Sequence, residues 1–96
     1  MSKKDAYIQK LHAKIDEWNA DIDKLTAKAN QAEADARSAY QKQIDALKQK
    51  RREIESKMTD IKQTGDEAWG DLKAGLDLAW DSMNAAVRSA MSRFNE

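Results

Sequence analysis

Residues 29–44, ANQAEADARSAYQKQI, decide whether this chain folds as one long helix with a short return or as three shorter helices. Their apolar residues step once by three and then three times by four, as Ala29, Ala32, Ala36, Tyr40 and Ile44. This spacing keeps them on one stripe of a helix, and the repeated steps of four are a stutter, which relaxes supercoiling without breaking the helix. Because the stretch has neither glycine nor proline, it favours an uninterrupted helix.

The same apolar stripe continues on both sides of this stretch. Its members repeat at spacings of three and four; they are Ile8, Leu11, Ile15, Trp18, Ile22 and Leu25 before the stretch, and Leu47, Arg51, Ile54, Met58 and Ile61 after it. Residues 4–62 contain no glycine or proline. We therefore predict one helix over 4–62, roughly 90 Å long at 1.5 Å per residue.

The sequence QTGDE, residues 63–67, is the one predicted break. Gly65 suits the left-handed conformation that often ends a helix, and Thr64 with Glu67 has the spacing of a capping box. We predict a turn over 63–66 and a second helix over 66–94. Residues 36–62 are mainly basic and residues 63–96 mainly acidic, which favours packing of the two helices as an antiparallel hairpin in a single all-α domain, 1–96.

The returning helix reaches only to about residue 36, so the stripe before that point lacks a partner in the predicted hairpin. We predict that residues 8–39 self-associate, preferably as an antiparallel homodimer in which Trp18 faces Ala29 and large side chains meet small ones. The interface residues are Ile8, Leu11, Ile15, Trp18, Ile22, Leu25, Ala29 and Ala32. The alternative is a three-helix bundle within one chain, which requires a turn near Ala29–Gln31.

The second predicted helix has a wide apolar arc, of about 160°, which one partner helix does not fill. The arc consists of Trp69, Leu72, Leu76, Trp80, Met83, Val87, Met91 and Phe94. We interpret it mainly as packing surface, with Trp80 over the stem of Arg51. A lipid or polymer surface is the alternative occupant, but the polar side of this helix is acidic, whereas helices that lie on membranes usually carry Lys and Arg there.

Composition excludes several classes of function. The formal net charge is zero, and the one basic cluster, KQKRRE at 48–53, is followed by glutamates, so we expect no nucleic-acid partner. The chain has no cysteine and no apolar run long enough for a membrane span. Its first residues lack the apolar core of a signal peptide, so we expect a cytoplasmic protein.

The sequence also gives little chemistry from which to build an active site. The single histidine, His12, has only Asp16 as a nearby acid on its face of the helix, so we expect no metal site and a solvated or interfacial imidazole. No serine lies within helical reach of His12, and no glycine-rich phosphate loop is present. We therefore expect no enzymatic activity, no catalytic residue and no cofactor.

Two segments resemble a known type of protein. DEWNADIDKLTAKA (16–29) and AWGDLKAGLDLAWDSM (68–83) resemble small uncharacterised bacterial coiled-coil proteins with a charged heptad front and an AW-DLK-GL--AW tail. The resemblance implies a bacterial origin and an all-helical fold, and it implies no ligand or activity. From the residues themselves we expect a non-enzymatic coiled-coil protein that self-associates, as a scaffold or stress-related accessory, with the lipid- or polymer-surface binder as the alternative.

Overall fold

The computed structural model describes residues 2–65 and 67–94. These residues form three α-helices and no strand: α1 (Lys3–Gln31), α2 (Ala34–Gln63) and α3 (Trp69–Phe94). Each helix contacts the other two, and the packed helices measure 51 × 19 × 18 Å. The prediction of an all-α fold is confirmed.

The prediction of one continuous helix over 4–62 is wrong at residues 32–33. Ala32 and Glu33 are both extended, with φ/ψ of −81°/159° and −63°/158°, and they separate α1 from α2. The chain therefore turns just after the Ala29–Gln31 segment that the alternative prediction named. An overall length of 51 Å also excludes a helix of about 90 Å.

Burial of the α1 stripe explains why the chain turns in a sequence that favours helix. Folding back covers the apolar face of α1 with α2 and α3, and six α1 residues become buried: Leu11, Ile15, Trp18, Ile22, Leu25 and Ala29. Each large apolar side chain contributes about 1.5–3 kcal/mol on burial, whereas each helical hydrogen bond given up at the turn is worth only about 0.5–1.5 kcal/mol. The prediction that this stripe has no partner within the chain is therefore wrong.

The second break lies close to the predicted one but has a different conformation. Helix α2 ends at Gln63, and Thr64 is extended, with its hydroxyl donating to the Asp60 carbonyl at 2.6 Å. Thr64 thus ends α2 instead of capping α3, and no glycine in the described residues has a positive φ, so the left-handed conformation expected at Gly65 is not adopted. Helix α3 begins at Trp69 and not at 66; Asp66 itself lies outside the described residues.

The pairing of α2 with α3 follows the predicted antiparallel register closely. Lys50 Nζ donates to Ser82 Oγ at 3.0 Å, and Ile44, Leu47, Met83 and Val87 are all buried in the shared core. Since α1 and α3 both run antiparallel to α2, they lie parallel to each other. The start of α1 therefore lies beside the start of α3, an arrangement that a two-helix hairpin does not provide.

Candidate functional site

Four aromatic side chains meet between α1 and α3, and we call them the aromatic cluster: Tyr7, Trp18, Trp69 and Trp80. The Tyr7 ring centroid lies 5.9 Å from that of Trp69 and 6.3 Å from that of Trp80, and Trp18 meets Trp80 edge-on at 5.9 Å and 78°. Both pairs are spaced eleven residues apart, close to three helical turns, so two parallel helices bring them together. The cluster gathers all three tryptophans of the chain.

A partly buried network of hydrogen bonds lies beside the aromatic cluster. The Tyr7 hydroxyl donates to Asp77 Oδ1 at 2.6 Å, while Lys73 Nζ donates to Asp77 Oδ2 at 2.8 Å and lies 5.1 Å from the Tyr7 ring centroid. Burial, followed by the hydrogen bond to Asp77, raises the pKa of Tyr7 well above its usual value. The hydrogen bonds from Lys73 and then Tyr7 lower the pKa of Asp77. The phenol is thus held neutral and the carboxylate ionised, which stabilises structure and leaves neither group poised for proton transfer near neutral pH.

An open groove runs along this side of the α1–α3 contact. Its volume is about 470 Å³, and it is lined by Tyr7, Lys10, Lys73, Asp77, Trp80 and Asp81. Two lysines and two aspartates balance in charge, and the Asp77 carboxylate already accepts bonds from Tyr7 and Lys73. The groove therefore carries no excess charge that would select an ionic ligand.

Two further polar contacts tie α1 to its neighbours. The Trp18 indole Nε1 donates to Asn84 Oδ1 of α3 at 3.1 Å, and Arg51 Nη1 of α2 donates to Asn19 Oδ1 at 2.7 Å. Arg51 Nε lies 3.4 Å from Glu55 Oε1, an ionic contact without hydrogen-bond alignment, so this buried nitrogen has no hydrogen-bond partner. The Trp80 ring packs on Tyr7 and Trp18, and its predicted contact with the stem of Arg51 stays a prediction.

The predicted self-association residues lie inside the folded chain. Leu11, Ile15, Trp18, Ile22, Leu25 and Ala29 are buried, and Ile8 and Ala32 are partly buried. Seven of the eight lie on one side of α1, which α2 and α3 cover, whereas Ala32 lies just beyond the end of α1. Association of two copies through this stripe consequently requires α1 to leave its own core.

The predicted apolar arc of α3 is also used mainly for packing. Leu76, Met83 and Val87 are buried, Trp69, Trp80 and Met91 are partly buried, and the side chain of Phe94 lies outside the described part of the structure. Leu72 is 41% exposed, and Leu78, on the opposite side of the helix, is 73% exposed. The arc is wide because α3 contacts two helices, α1 and α2.

The residues around the α1–α2 turn form a second distinctive site. The Arg37 guanidinium Nη2 reaches back across the turn and donates to the carbonyl oxygens of Ala32 at 3.0 Å and Asn30 at 3.5 Å. The Ala32 N–H donates to the Ala29 carbonyl at 3.1 Å, whereas Glu33, at the start of α2, makes no side-chain cap. The Arg37 side chain therefore helps to hold this turn closed.

His12 lies at the surface between α1 and α2. Its Nε2 lies 3.1 Å from Lys62 Nζ of α2, within hydrogen-bond distance. Within residues 2–65 and 67–94, no group of three or more His, Cys, Asp or Glu side chains is placed to hold a metal ion.

Sequence patterns missed several residues that the structure brings together. The sequence patterns do not predict the contacts of Tyr7 with Asp77 or of Trp18 with Asn84, because these contacts join α1 to α3 and the predicted hairpin does not place those helices side by side. The available signal was the equal spacing of Tyr7 to Trp18 and of Trp69 to Trp80. Arg37 gave no signal, since its role depends on a turn that local sequence does not favour.

No helix in the described part of the chain is both long and apolar enough to cross a lipid bilayer. The likeness to small bacterial coiled-coil proteins stays a prediction from the two sequence segments. Compared with models of protein families, with curated proteins and with solved structures, the chain matches none of them.

Proposed function

We propose that this chain is a non-enzymatic helical interaction protein that associates with further copies of itself through its helix faces. The observation that carries the proposal is the apolar stripe of residues 29–44, which keeps one helical phase straight through the turn at Ala32–Glu33. A turn that only reverses the chain does not require the apolar residues before and after it to share one helical face. Helix-to-helix association between chains does require a continuous apolar face.

The buried surfaces support association between copies. Helix α1 contributes large apolar side chains to a core that α2 and α3 complete, and a second copy presents those same complementary surfaces. An interface made from a core is apolar and closely packed, which is typical of stable homo-oligomers. In the proposed scaffold or accessory role, each copy of this helical protein binds other copies of the same chain.

The ionisable groups support a role without catalysis. Tyr7 and Asp77 are the described groups whose pKa values are displaced, and they are displaced mainly by burial and by bonds to each other and to Lys73. A general acid or base works best with a pKa near the operating pH, and these shifts move both groups away from it. They serve the α1–α3 contact.

Sedimentation equilibrium tests the proposal directly. The wild-type chain is refolded from denaturant at a low and at a high chain concentration, and its mass is measured over a range of dilutions. We expect a monomer of 10.9 kDa in dilute samples and twice that mass in concentrated ones. A single monomer mass after refolding at millimolar concentration contradicts self-association.

A lipid or polymer surface is the second candidate, and the exposure of Leu78 and Leu72 on α3 favours it. Most of the predicted arc is covered by α1 and α2, so, among the side chains that the structure describes, these two leucines are the large apolar residues exposed to a surface. We expect weak flotation with neutral, loosely packed vesicles at most, and loss of it in Leu78→Glu. No flotation of the wild type at any lipid composition removes this candidate.

A further inference from the structure

We infer that two copies of the chain associate by exchanging α1: the turn at Ala32–Glu33 straightens, α1 and α2 join into one long helix, and α1 packs into the other copy. This inference rests on the proposed self-association and names its mechanism. It differs from pairing of the α1 stripes with each other, because α1 meets α2 and α3 of the second copy.

The sequence of the turn favours the straight form locally. Residues 28–40, KANQAEADARSAY, contain five alanines and neither glycine nor proline. Alanine is the strongest helix former, and turns between helices usually contain residues that stop a helix. Only Ala32 and Glu33 leave the helical conformation, and neither has a positive φ. Rotation of two residues is enough to straighten the chain.

The ends of the two helices at this turn are sparsely capped. Glu33 provides no side-chain cap for α2, so the first N–H groups of α2 lack the partner that a capping residue gives. In a continuous helix these N–H groups bond to the last carbonyl groups of α1. Straightening therefore satisfies both ends at once, and it breaks the bonds from Arg37 to Ala32 and Asn30.

The phase of the apolar stripe fits the straight form as well as the closed one. In a continuous helix Ala29, Ala32, Ala36, Tyr40 and Ile44 lie on one face at spacings of three and four. In the closed chain Ala32, Ala36 and Tyr40 are only partly buried. The straight helix places these three residues where the long helices of the two copies cross.

Exchange preserves the contacts that hold α1 in the closed chain. The bonds from Arg51 to Asn19, from Trp18 to Asn84 and from Tyr7 to Asp77 all join α1 to another helix. In the exchanged dimer, α1 of each copy packs antiparallel to α2 of the other copy, and a two-fold axis near the turn relates the two pairs. Each bond is therefore remade between copies with the same geometry. An exchange of identical elements needs no new surface, which is why it is a low-cost route to dimers.

Glu33→Pro is the decisive variant. Its φ of −63° and the extended conformation of Ala32 before it are those that proline and the residue preceding a proline adopt. The closed turn therefore accepts proline, whereas a continuous helix does not, since proline there removes a hydrogen bond and clashes with the preceding turn. We expect the dimer dissociation constant to rise at least ~100-fold per hinge. Glu33→Ala is the matched control, and it keeps or strengthens the dimer.

Arg37→Ala is a variant that should favour the straight form and therefore the dimer. It still tests the inference if the proline variant folds poorly. Removing the bonds that Arg37 makes across the turn should raise the dimer fraction, with the association constant increasing about 2- to 10-fold per hinge. Arg52→Ala, at an exposed arginine of the same helix, is the control and should leave the association constant unchanged. Circular dichroism of all variants checks that the helices are retained.

Energy transfer within one chain distinguishes exchange from side-by-side pairing. The chain lacks cysteine, so Gln9→Cys and Gln63→Cys, both at exposed positions, accept a donor and an acceptor dye. The closed chain holds these sites near each other, as the Lys4–Thr64 and His12–Lys62 contacts at the same end indicate. A straightened chain separates them by about 80 Å. The labelled chain is refolded with an excess of unlabelled chain, so that only transfer within one chain is seen.

Three outcomes are distinguishable. A wild-type dimer with low transfer efficiency, together with a monomeric Glu33→Pro variant, supports exchange. A dimer that keeps high transfer efficiency, or that survives Glu33→Pro, overturns exchange while self-association stands. A wild type that is monomeric at every concentration overturns both the exchange and the proposed function.

Discussion

Replacing Trp18 by phenylalanine measures how much the α1–α3 contact contributes to the stability of the folded chain. Trp18 is 1% exposed, its indole Nε1 bonds Asn84 Oδ1, and its ring meets Trp80 edge-on. Phenylalanine keeps an aromatic ring at the site but removes the N–H donor and the second ring of the indole. The change therefore alters the contact with α3 while leaving the helix sequence otherwise intact.

The expected loss follows from three contributions. Leaving the partly buried Asn84 oxygen without its donor costs about 1–1.5 kcal/mol. Removing the fused ring loses roughly one methylene equivalent of burial and leaves space, which costs about 1 kcal/mol. Weakening the edge-on contact with Trp80 costs about 0.5 kcal/mol. We expect Trp18→Phe to lower the free energy of unfolding by about 2.5–3 kcal/mol, and the midpoint of thermal unfolding by about 10–20 °C.

Urea unfolding followed by circular dichroism at 222 nm measures this loss, and it avoids the change in tryptophan fluorescence. Asn84→Ala and the double variant complete a double-mutant cycle, for which we expect a coupling energy of about 0.5–1.5 kcal/mol. Leu78→Ala, at a 73% exposed position, serves as the control and should change stability by less than about 0.5 kcal/mol. A Trp18→Phe effect no larger than this control, with no coupling to Asn84, refutes the packing described for α1 on α3.

Three further predictions concern other parts of the fold. The raised pKa of Tyr7 means that its bonded neutral form stabilises the folded chain fully below the pKa of an unfolded tyrosine, near 10; stability should fall as the pH rises above that value, and Tyr7→Phe should reduce this fall in thermal melts. The lowered pKa of Asp77 acts at the other end, since its contribution is present above about pH 4 and is lost as the pH falls further; Asp77→Asn should flatten the acid limb of the same pH series. Gly75→Ala should raise the midpoint of thermal unfolding by about 2–8 °C, because a methyl group there meets nothing within 4 Å and alanine stabilises a helix interior by about 0.5–1 kcal/mol; an unchanged or lower midpoint contradicts it.

The helices and the pairing of α2 with α3 could be predicted because both depend on local periodicity. Spacings of three and four identified residues that are buried in α1, α2 and α3, although the sequence predicted two helices and not three. The break near Gly65 lies where turn-forming residues interrupt that periodicity. The short α2–α3 connection then leaves an antiparallel neighbour as the available arrangement. These parts of the fold are written into short segments of sequence.

The turn at Ala32–Glu33 could not be predicted in the same way, because its residues favour the helix that it interrupts. The turn forms because it lets Trp18 and its neighbours on α1 pack against α3. The stability gained from this packing depends on contacts between residues about 65 positions apart in sequence. The polar contacts followed from that placement. The sequence alone does not identify Asn84 as a contact residue, because its hydrogen bond depends on Trp18 lying beside it.

The closed chain and the straight form that we propose differ mainly in whether α1 packs within a copy or between copies. A short connection gives α1 an effective concentration in the millimolar range for its own core, and the second copy competes against this value. Straightening gains about 1–2 kcal/mol at each hinge, on the scale of a missing helix cap or of two hydrogen bonds. Under the proposed exchange, two hinges then bring the expected dimer dissociation constant to roughly 1–30 μM. The bonds from Arg37 to Ala32 and Asn30 require the closed turn, so under the proposed exchange Arg37 should shift the balance towards the monomer, and chain concentration should decide which form is populated.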